Sequence, residues 1–363
     1  MTLIVQAWLE PLVIPFEQPM RTATRRWTER ELVLVHLVGD DGNEGLGEVA
    51  LAADQPPGNA RSDREIAGLS GLDVADEGAF EAKIEAIRGS SPSIAAAVDA
   101  AAWDLRARSA GRSLSEMLGV RGGGSVRLNG IVGASPAASA AAAALGQVEG
   151  GLDCLKIKAG AEPIGDVVER LSAVRAAVGD DIELRLDLNG SLEIADAVET
   201  IGRLAEHRLD YIEDPLPMTT PPDVMARIRG EVPVALAADE IVTGPDIADE
   251  LMHAGAVDVL VVKPARVGGV TGARHIIRQA VEAGVRIVMS TLFETGIGLA
   301  GALHLARLPT GTDEAHGLGT AHLLASDLLE EPLRIVAGRM VAPEGPGLGV
   351  TLDAAAIERF SQR

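Results

Sequence analysis

The sequence predicts an α/β protein whose larger part is a parallel barrel of the TIM type. A regular alternation begins near residue 125, where short β-like runs are separated by helix-length segments rich in Ala, Leu, Ile, Arg and Glu. Strands that alternate with helices form parallel βαβ units, and eight of them favour a closed barrel over an open sheet. The runs are residues 126–132, 154–158, 183–187, 211–213, 234–239, 258–263, 286–290 and 314–318.

The residues before the barrel predict a separate α+β unit. Residues 2–13 and 31–39 are rich in Val, Leu and Ile and predict strands, residues 40–43 (DDGN) a turn, and residues 93–110 a helix. Three consecutive glycines near residue 123 mark a boundary. The expected divisions are residues 1–122, 123–322 and 323–363. The last of them ends in the stretch VAPEGPGLGV and is expected to pack back on the N-terminal unit.

The composition excludes several classes of protein. The chain carries 32 Lys and Arg against 53 Asp and Glu, and a net charge of −21 repels the phosphate backbone of nucleic acids. No apolar run approaches the roughly 18 to 20 residues that span a bilayer, and the N-terminus lacks the pattern of a signal peptide. Cys154 is the only cysteine, so an intramolecular disulfide is excluded. We therefore expect a cytoplasmic protein without a membrane or nucleic-acid partner.

Charged residues end the predicted barrel strands. Lys158, Asp187, Glu213, Asp239 and Lys263 each follow an apolar run, at successive separations of 29, 26, 26 and 24 residues. Each separation equals about one β/α unit, so the five groups recur at the same height. The C-terminal ends of barrel strands are where active sites lie. One charge at a strand end is commonly a solvated loop residue, but five in register would be costly without a function.

The residue types point to metal-assisted proton abstraction. Three carboxylates without histidine or thiolate suit a hard cation such as Mg²⁺. A lysine acts as a base only when its proton affinity falls toward neutrality, and neighbouring Lys156 and the metal would act on Lys158 in that direction. Lys156 and Lys158 share one face of their strand because successive strand residues alternate. A metal at this place would hold a substrate carboxylate and stabilise the enediolate formed when the α-proton leaves.

With these residues the sequence resembles the enolase superfamily, specifically its muconate lactonizing enzyme subgroup. The resemblance runs from the N-terminal unit through AAWDLRARSAGRSLSEMLG to the closing GPGLGV. It implies a TIM-type (β/α)7β barrel with an N-terminal α+β capping domain that the C-terminal segment completes. It also implies roles: Asp187, Glu213 and Asp239 as Mg²⁺ ligands, Lys158 as the base of the KxK motif, Lys156 as its helper, Lys263 as the lysine on the opposite face of the substrate, and Asn189 as a supporting polar group.

The subgroup and the reaction are separate questions. The mandelate racemase branch would show a histidine at the end of the seventh strand, which here reads RIVMST, and a glutamate as third ligand, where this chain has Asp239 followed by Glu240. The segment MSTLFETGIGLAGALHLA resembles o-succinylbenzoate synthases and N-succinylamino acid racemases. Syn-dehydration is therefore the first expectation, with cycloisomerase and racemase chemistry left open. Ser290 and Thr291 are candidates to bind a substrate carboxylate, and Glu294 either faces the substrate or holds a loop.

The substrate and the partners are the least determined features. Residues 16–27 (FEQPMRTATRRW) are expected to form a loop over the site in which Arg25 meets a distal carboxylate, although an ordinary solvated loop is the alternative. The expected partner is a small-molecule carboxylate, and the resemblance implies a homo-oligomer. A barrel that binds a metal or a metabolite without catalysis is the non-enzyme alternative, which the paired lysines disfavour.

Overall fold

The computed structural model describes residues 1–21, 26–50, 66–160 and 162–361. The N-terminal part is a three-stranded antiparallel sheet in the order β1-β2-β3 with helices packed against one face. Its elements are β1 (Ile4–Arg21), β2 (Arg26–Gly39), β3 (Glu44–Ala50), α1 (Glu77–Arg88), α2 (Pro92–Ser109) and the short α3 (Leu114–Met117).

Helix α2 lies directly on strand β3 because two glycines allow it. A Cβ atom on Gly45 would lie 2.2 Å from the carbonyl oxygen of Ala101, and one on Gly47 would lie 2.0 Å from that of Ala97. The helix contributes a face of alanines to this contact, and most of its residues are buried. The expected strands and helix are thus present, and the strands are longer than the sequence indicated.

The C-terminal part contains a seven-stranded parallel sheet in the order β11-β10-β9-β8-β7-β6-β5. Helices connect successive strands of this sheet, as the alternation predicted. The strands are β5 (Gly130–Val132), β6 (Cys154–Lys158), β7 (Glu183–Asp187), β8 (Leu209–Glu213), β9 (Ala235–Ala238), β10 (Val259–Val262) and β11 (Arg286–Met289). The helices are α4 (Ala137–Glu149), α5 (Ile164–Val178), α6 (Ala197–Ala205), α7 (Pro222–Glu231), α8 (Pro245–His253), α9 (Gly269–Ala283) and α10 (Gly296–Ala306).

A smaller sheet lies beside the ends of the parallel one. It has the order β12-β4-β14-β13, with β4 (Ser125–Leu128), β12 (Ala315–His316), β13 (Ile335–Val336) and β14 (Arg339–Val341). Strand β12 pairs in parallel with β4, and Gly317 forms a parallel bridge to Ser290 just after β11. The predicted first strand is thus divided at Asn129 into β4 and β5. The backbone N–H of Asn129 donates to the carbonyl of His316.

The C-terminal segment contacts the N-terminal sheet. Gly347 exchanges backbone hydrogen bonds with Arg112 and Leu114, and helix α11 (Ala354–Phe360) leads to Ser361, which bridges to Leu12 of β1. None of the helices within the described ranges combines the length and the apolar composition that a bilayer crossing requires.

The region expected to be a covering loop is largely a hairpin. Strand β1 continues to Arg21, and β2 begins at Arg26. The two strands therefore pair beyond Phe16, with one irregularity in register between Pro15 and Met20. Arg25 and residues 22–24 lie outside the described residues.

Candidate active site

The alternation of the parallel strands separates apolar from charged side chains. Leu155, Ile157, Leu184 and Leu186 are fully buried in the layer between the sheet and its helices. The residues between them face the other way, and the parallel register places Lys156 beside Arg185 and Lys158 beside Asp187. The charged groups therefore face the inner side of the sheet. Asp187 on β7 in turn pairs with Glu213 on β8, so Lys158, Asp187 and Glu213 lie at the same level of the sheet, as their spacing predicted.

Three lysines each contact a carboxylate in this inner cluster. The Nζ of Lys156 lies 2.7 Å from Oε1 of Glu213 and 3.5 Å from Oδ2 of Asp187. The Nζ of Lys158 donates to the same Oδ2 of Asp187. The chain has four lysines in all, so three of them are gathered at one place.

The third lysine approaches from the other side. The Nζ of Lys263, which follows β10, lies 2.7 Å from Oδ2 of Asp239, which follows β9. Lys158 on β6 and Lys263 after β10 are thus separated by the strands that carry the three carboxylates. The structure brings all six predicted groups of the metal and lysine set into one cluster.

Burial and neighbouring charges shift the pKa values of the carboxyl groups in this cluster. Asp187 and Glu213 are fully buried, and Asp239 is 2% exposed. Burial raises the pKa of Glu213, the carboxylates of Asp187 and Asp239 add to this, and the pKa is about 8 although Lys156 opposes the change. Burial acts in the same direction on Asp187, but the ammonium groups of Lys158 and Lys156 outweigh it and lower its pKa.

The buried lysines show the opposite balance. Burial lowers the pKa of Lys156, but the carboxylates of Glu213 and Asp187 outweigh it, so the pKa lies well above the ordinary value. The pKa of Lys263 is raised in the same way by Asp239 and Glu240 against burial. Lys158 differs in geometry, because about a third of its side chain is exposed. Lys158 is therefore the most accessible of the three lysines.

The residues present fit a hard divalent cation. Within the described part of the chain, Oε2 of Glu213 and Oδ1 of Asp239 are buried without a hydrogen-bond partner. An oxygen that is buried and unpaired costs free energy unless a cation or a water satisfies it. Three carboxylates without nitrogen or sulfur donors match the ligand preference of Mg²⁺. The unpaired oxygens of Glu213 and Asp239 therefore support a metal ion beside these two residues.

A neighbouring carboxylate cluster has a different explanation. Carboxylate oxygens of Asp214, Asp239 and Glu240 lie within 4.8 Å of one another. Asp214, however, accepts hydrogen bonds from the backbone N–H groups of Asp239 and Glu240, each at 2.9 Å. Both of its oxygens are thus used to fix the backbone that follows β9. Asp214 was missed by sequence reasoning, although it directly follows Glu213 in the motif YIEDP.

Asn189 and Glu240 lie at the edge of the cluster. Asn189 is exposed, its backbone N–H donates to Oδ1 of Asp187 at 3.1 Å, and its Nδ2 donates to Oε1 of Glu240 at 3.3 Å. The φ angle of Asn189 is +47°, in the left-handed region that Asn adopts more readily than most residues. The two side chains therefore connect the ends of β7 and β9 around Asp187.

The segment after β11 carries the other predicted residues. The N–H of Ser290 donates to the carbonyl of Val262, the residue before Lys263, at 2.9 Å. Thr291 is buried, and its hydroxyl forms a 2.9 Å hydrogen bond with that of Thr320. Glu294 is 3% exposed and accepts from the backbone N–H of Leu292. Of the two roles expected for Glu294, these contacts favour holding the loop.

Two residues of the N-terminal unit reach this same segment and were missed from the sequence. The buried Arg30 donates from Nη2 to the carbonyl of Leu292 at 2.8 Å. The buried Glu48 accepts from the N–H and the hydroxyl of Thr295. A signal was present only for Glu48, a charge within the apolar run GLGEVA; Arg30 lies between Glu29 and Glu31, and no such contrast marks it.

Two buried histidines of the barrel domain have structural contacts. His316 on β12 accepts the N–H of Met289 at its Nδ1, and burial lowers its pKa to about 4. His304 is fully buried in α10 and contacts Ser115 and Leu348. Neither side chain contacts the lysine and carboxylate cluster in the hydrogen bonds of the described residues.

Sequence families match both parts of the chain. The family described as enolase C-terminal domain-like matches residues 138–356, and the mandelate racemase / muconate lactonizing enzyme N-terminal domain family matches residues 9–119. The chain belongs to the enolase superfamily, in its muconate lactonizing enzyme subgroup.

Curated relatives define the class further. Muconate cycloisomerase 1 of Rhodococcus opacus is 31% identical over 97% of this chain and 96% of the relative. N-succinylamino acid racemase of Thermus thermophilus is 32% identical over 99% and 97%. The o-succinylbenzoate synthase of Thermobifida fusca is 36% identical over 47% and 52%. These relatives are superfamily enzymes, so this chain is an enzyme of the same superfamily. The alternative of a barrel that binds a metal or a metabolite without catalysis is therefore wrong.

A solved structure shows the same fold. The crystal structure of muconate lactonizing enzyme from Pseudomonas fluorescens complexed with muconolactone superposes with a TM-score of 0.88 at 24% identity, covering 99% of this chain and all of that one. The fold is therefore an N-terminal capping domain followed by a domain of parallel strands with intervening helices.

Proposed function

We propose that this enzyme uses Mg²⁺ to remove the proton from the carbon next to a substrate carboxylate. The observation that carries the proposal is the placement of Lys158 and Lys263 on opposite sides of three buried carboxylates. A site that only binds a metal does not need a lysine on each side of its three carboxylates. Proton abstraction by Lys with Mg²⁺ is also the chemistry for which the superfamily is known.

The residues of the site divide into three tasks. Asp187, Glu213 and Asp239 would hold the metal, and bound Mg²⁺ would supply positive charge to stabilise the negative charge that develops on the substrate carboxylate. Lys158, which is partly exposed, takes the α-proton. Lys156 remains charged between Glu213 and Asp187 and fixes their orientation.

The substrate reaches the cluster from the side on which the strands end. Ser290 is half-buried beside Lys263 and is proposed to donate to a substrate oxygen. Asn189 and Glu240 are proposed to keep Asp187 in place. Arg25 is proposed to meet a distal carboxylate.

Within this class we propose syn-dehydration of the o-succinylbenzoate synthase type. Lys158 removes the α-proton, and the electron pair of that C–H bond moves toward the carboxylate. The pair then returns to form the C=C bond as the bond to the β-hydroxyl breaks, and the departing hydroxide takes the proton from the Lys158 ammonium group and leaves as water. Lys263 stays protonated and stabilises the negative charge of the intermediate. The 36% identity to the Thermobifida synthase supports this assignment.

A second candidate is a racemase or a cycloisomerase. It is favoured by the relatives matched over nearly the full chain, a racemase and a cycloisomerase. In racemisation Lys158 and Lys263 would exchange the α-proton on opposite faces of the substrate, one removing it and the other returning it.

The remaining proposals concern the setting of the site. The Ser290–Gly317 bridge and the pairing of β12 with β4 support a (β/α)7β barrel closed through β12. We further propose that the enzyme is cytoplasmic, acts on a small-molecule carboxylate and assembles as a homo-oligomer. The proposed domains remain residues 1–122, 123–322 and 323–363.

An ultraviolet assay tests the proposed reaction. The hydroxycyclohexadiene carboxylate precursor of o-succinylbenzoate is mixed with enzyme and Mg²⁺, and Lys158→Ala serves as the inactive control. Rapid loss of substrate absorbance that requires Mg²⁺ and Lys158 supports dehydration. No turnover by the wild-type enzyme contradicts it and transfers the assignment to the second candidate.

A further inference from the structure

The loop between β11 and α10 is held by the N-terminal capping domain through a buried carboxylate. Both oxygens of Glu48, on β3, face the start of α10. Its Oε1 accepts the N–H of Thr295 at 2.9 Å, and its Oε2 accepts the Thr295 hydroxyl at 2.7 Å and the N–H of Gly298 at 3.1 Å. Negative charge is favourable at the N-terminus of a helix, where N–H groups lack partners. One capping-domain side chain therefore fixes the place where α10 begins.

Gly298 is the residue that admits Glu48 to this position. A Cβ atom at Gly298 would lie 2.7 Å from Cβ and Cγ of Glu294 and 3.3 Å from Oε2 of Glu48. Contacts of that length force neighbouring atoms to move. The absence of a side chain at Gly298 thus lets two buried carboxylate side chains lie together against the helix.

The same loop is gripped at a second point. Arg30 on β2 donates to the carbonyl of Leu292, and Glu294 accepts the N–H of the same residue. Phe293, which lies between Leu292 and Glu294 in the chain, has a φ of +63°. A bulky residue adopts this left-handed conformation only where its surroundings impose it. The ring of Phe293 meets that of Phe16 on β1 edge-on, with centroids 6.2 Å apart.

The loop held in this way starts beside a proposed catalytic residue. Ser290 is hydrogen-bonded to the carbonyl of Val262, directly before Lys263. A shift of the loop therefore moves the group proposed to bind the substrate relative to the lysine on that side. Small displacements of this kind can cost a large factor in rate without affecting the chemistry directly.

We propose that Glu48, together with Arg30, is a positioning residue of the active site, which acts across the domain interface by fixing the loop that carries Ser290. Neither residue touches the reacting atoms. The catalytic part of this inference rests on the proposed function, whereas the structural part does not need a substrate.

Two variants and a control test the inference. Glu48→Gln removes the charge and one acceptor oxygen. Gly298→Ala adds a methyl group in the barrel domain that displaces the Glu48 carboxylate but leaves its charge in place. Asp104→Asn is the matched control, because Asp104 is also a fully buried capping-domain carboxylate, but its partners are Arg108 and the N–H groups of Leu46 and Leu348 rather than residues 290–299. Hydrogen exchange of a peptide covering residues 290–299 and steady-state kinetics are measured for each.

We expect exchange in this peptide to rise about tenfold or more in both variants and to remain at the wild-type level in Asp104→Asn. The kcat per folded enzyme should fall about 10- to 100-fold in both variants with KM changed less than about threefold; counting only folded enzyme separates this loss from general destabilisation, which lowers the active fraction instead. If Glu48→Gln fails to fold, Gly298→Ala decides alone. Unchanged exchange in the variants overturns the inference, and so does increased exchange with full kcat. If the wild-type enzyme turns over no substrate, the proposed function fails, and exchange still decides whether Glu48 holds the loop.

Discussion

The ammonium group of Lys156 lies 2.7 Å from Oε1 of Glu213, and both side chains are buried on the inner side of the parallel sheet. The other oxygen of Glu213 has no hydrogen-bond partner among the described residues. The pair thus leaves one buried acceptor for a cation while it satisfies the lysine. A buried pair of this kind contributes little net stability, because desolvation offsets the attraction. Its arrangement is therefore explained better by metal binding than by folding.

Magnesium should stabilise the folded enzyme through these carboxylates. A ligand that binds only the folded state at about 100 times its Kd adds about 2.7 kcal/mol to the free energy of unfolding. We expect the melting temperature of the wild type to rise with MgCl₂ and that of Asp239→Asn to respond much less. Asp180→Asn, which changes an exposed ion pair with Arg208, is the control and should respond like the wild type. An equal rise in all three proteins would contradict the assignment of Asp239.

Substitutions at Lys263 separate the two candidate reactions. In the dehydration Lys263 supplies only positive charge, so Lys263→Arg should retain activity within about tenfold, since arginine keeps the charge. In racemisation Lys263 must also transfer a proton, which arginine does not do at neutral pH, and the loss should reach about 10²- to 10⁴-fold. Initial rates with both substrate types, with Lys263→Ala for comparison, measure the difference. Equal large losses in Arg and Ala variants would exclude the purely electrostatic role.

Glu294 should make stability depend on pH. Burial, with the adjacent Glu48 carboxylate, raises the pKa of Glu294 from 4.5 to about 7. The folded state then holds a proton that the unfolded state releases, so the contribution is complete below about pH 4.5 and is lost as the pH rises to about 7. The loss amounts to roughly 3 kcal/mol at most.

Denaturant unfolding at pH 5 and pH 8 measures this effect against Glu294→Gln, which does not titrate. Burial also raises the pKa of Asp99 to about 6 and that of Glu213 to about 8, but these groups are present in both proteins and cancel in the comparison. The wild type should lose more stability between the two pH values than the variant. Parallel losses would show that Glu294 does not titrate in this range.

Arg185 should be important for stability. It is fully buried and bonds Asp210, Glu314 and the carbonyl of Ala315. Arg185→Met leaves the two carboxylates without this partner and should lower the free energy of unfolding by about 3 to 5 kcal/mol. The exposed-pair variant Asp180→Asn should cost less than about 1 kcal/mol in the same denaturation experiment. A small effect at Arg185 would mean that Arg286, which also contacts Asp210 and Glu314, compensates.

Local patterns accounted for the strands and the position of the charged cluster. Asp187, Glu213 and Lys158 end apolar strands at spacings of one β/α unit, and the parallel register places them together as expected. Such a pattern is visible in sequence because strand periodicity and unit length are local properties.

Contacts between domains were not predictable in this way. Arg30 and Glu48 act on residues more than 240 positions away, and nothing near them in sequence marks their partners. Asp214 accepts hydrogen bonds from the two backbone N–H groups that follow the next strand, so its role depends on strand pairing. The segment around Phe16 was expected to be a loop over the site, but its pairing with β2 and its contact with Phe293 extend the hairpin.

Exchange of the α-proton with solvent is the most direct test of Mg²⁺-dependent proton abstraction by Lys158. An N-succinyl amino acid is incubated with enzyme and Mg²⁺ in D₂O, and deuterium at the α-carbon is followed by NMR for the wild type, Lys158→Ala and Lys83→Ala. We expect Mg²⁺-dependent incorporation by the wild type and by Lys83→Ala, which changes the one lysine outside the cluster, and a loss of at least about 10²-fold in Lys158→Ala for the enantiomer whose α-proton faces Lys158. Exchange that persists in Lys158→Ala, or that does not need Mg²⁺, would contradict it.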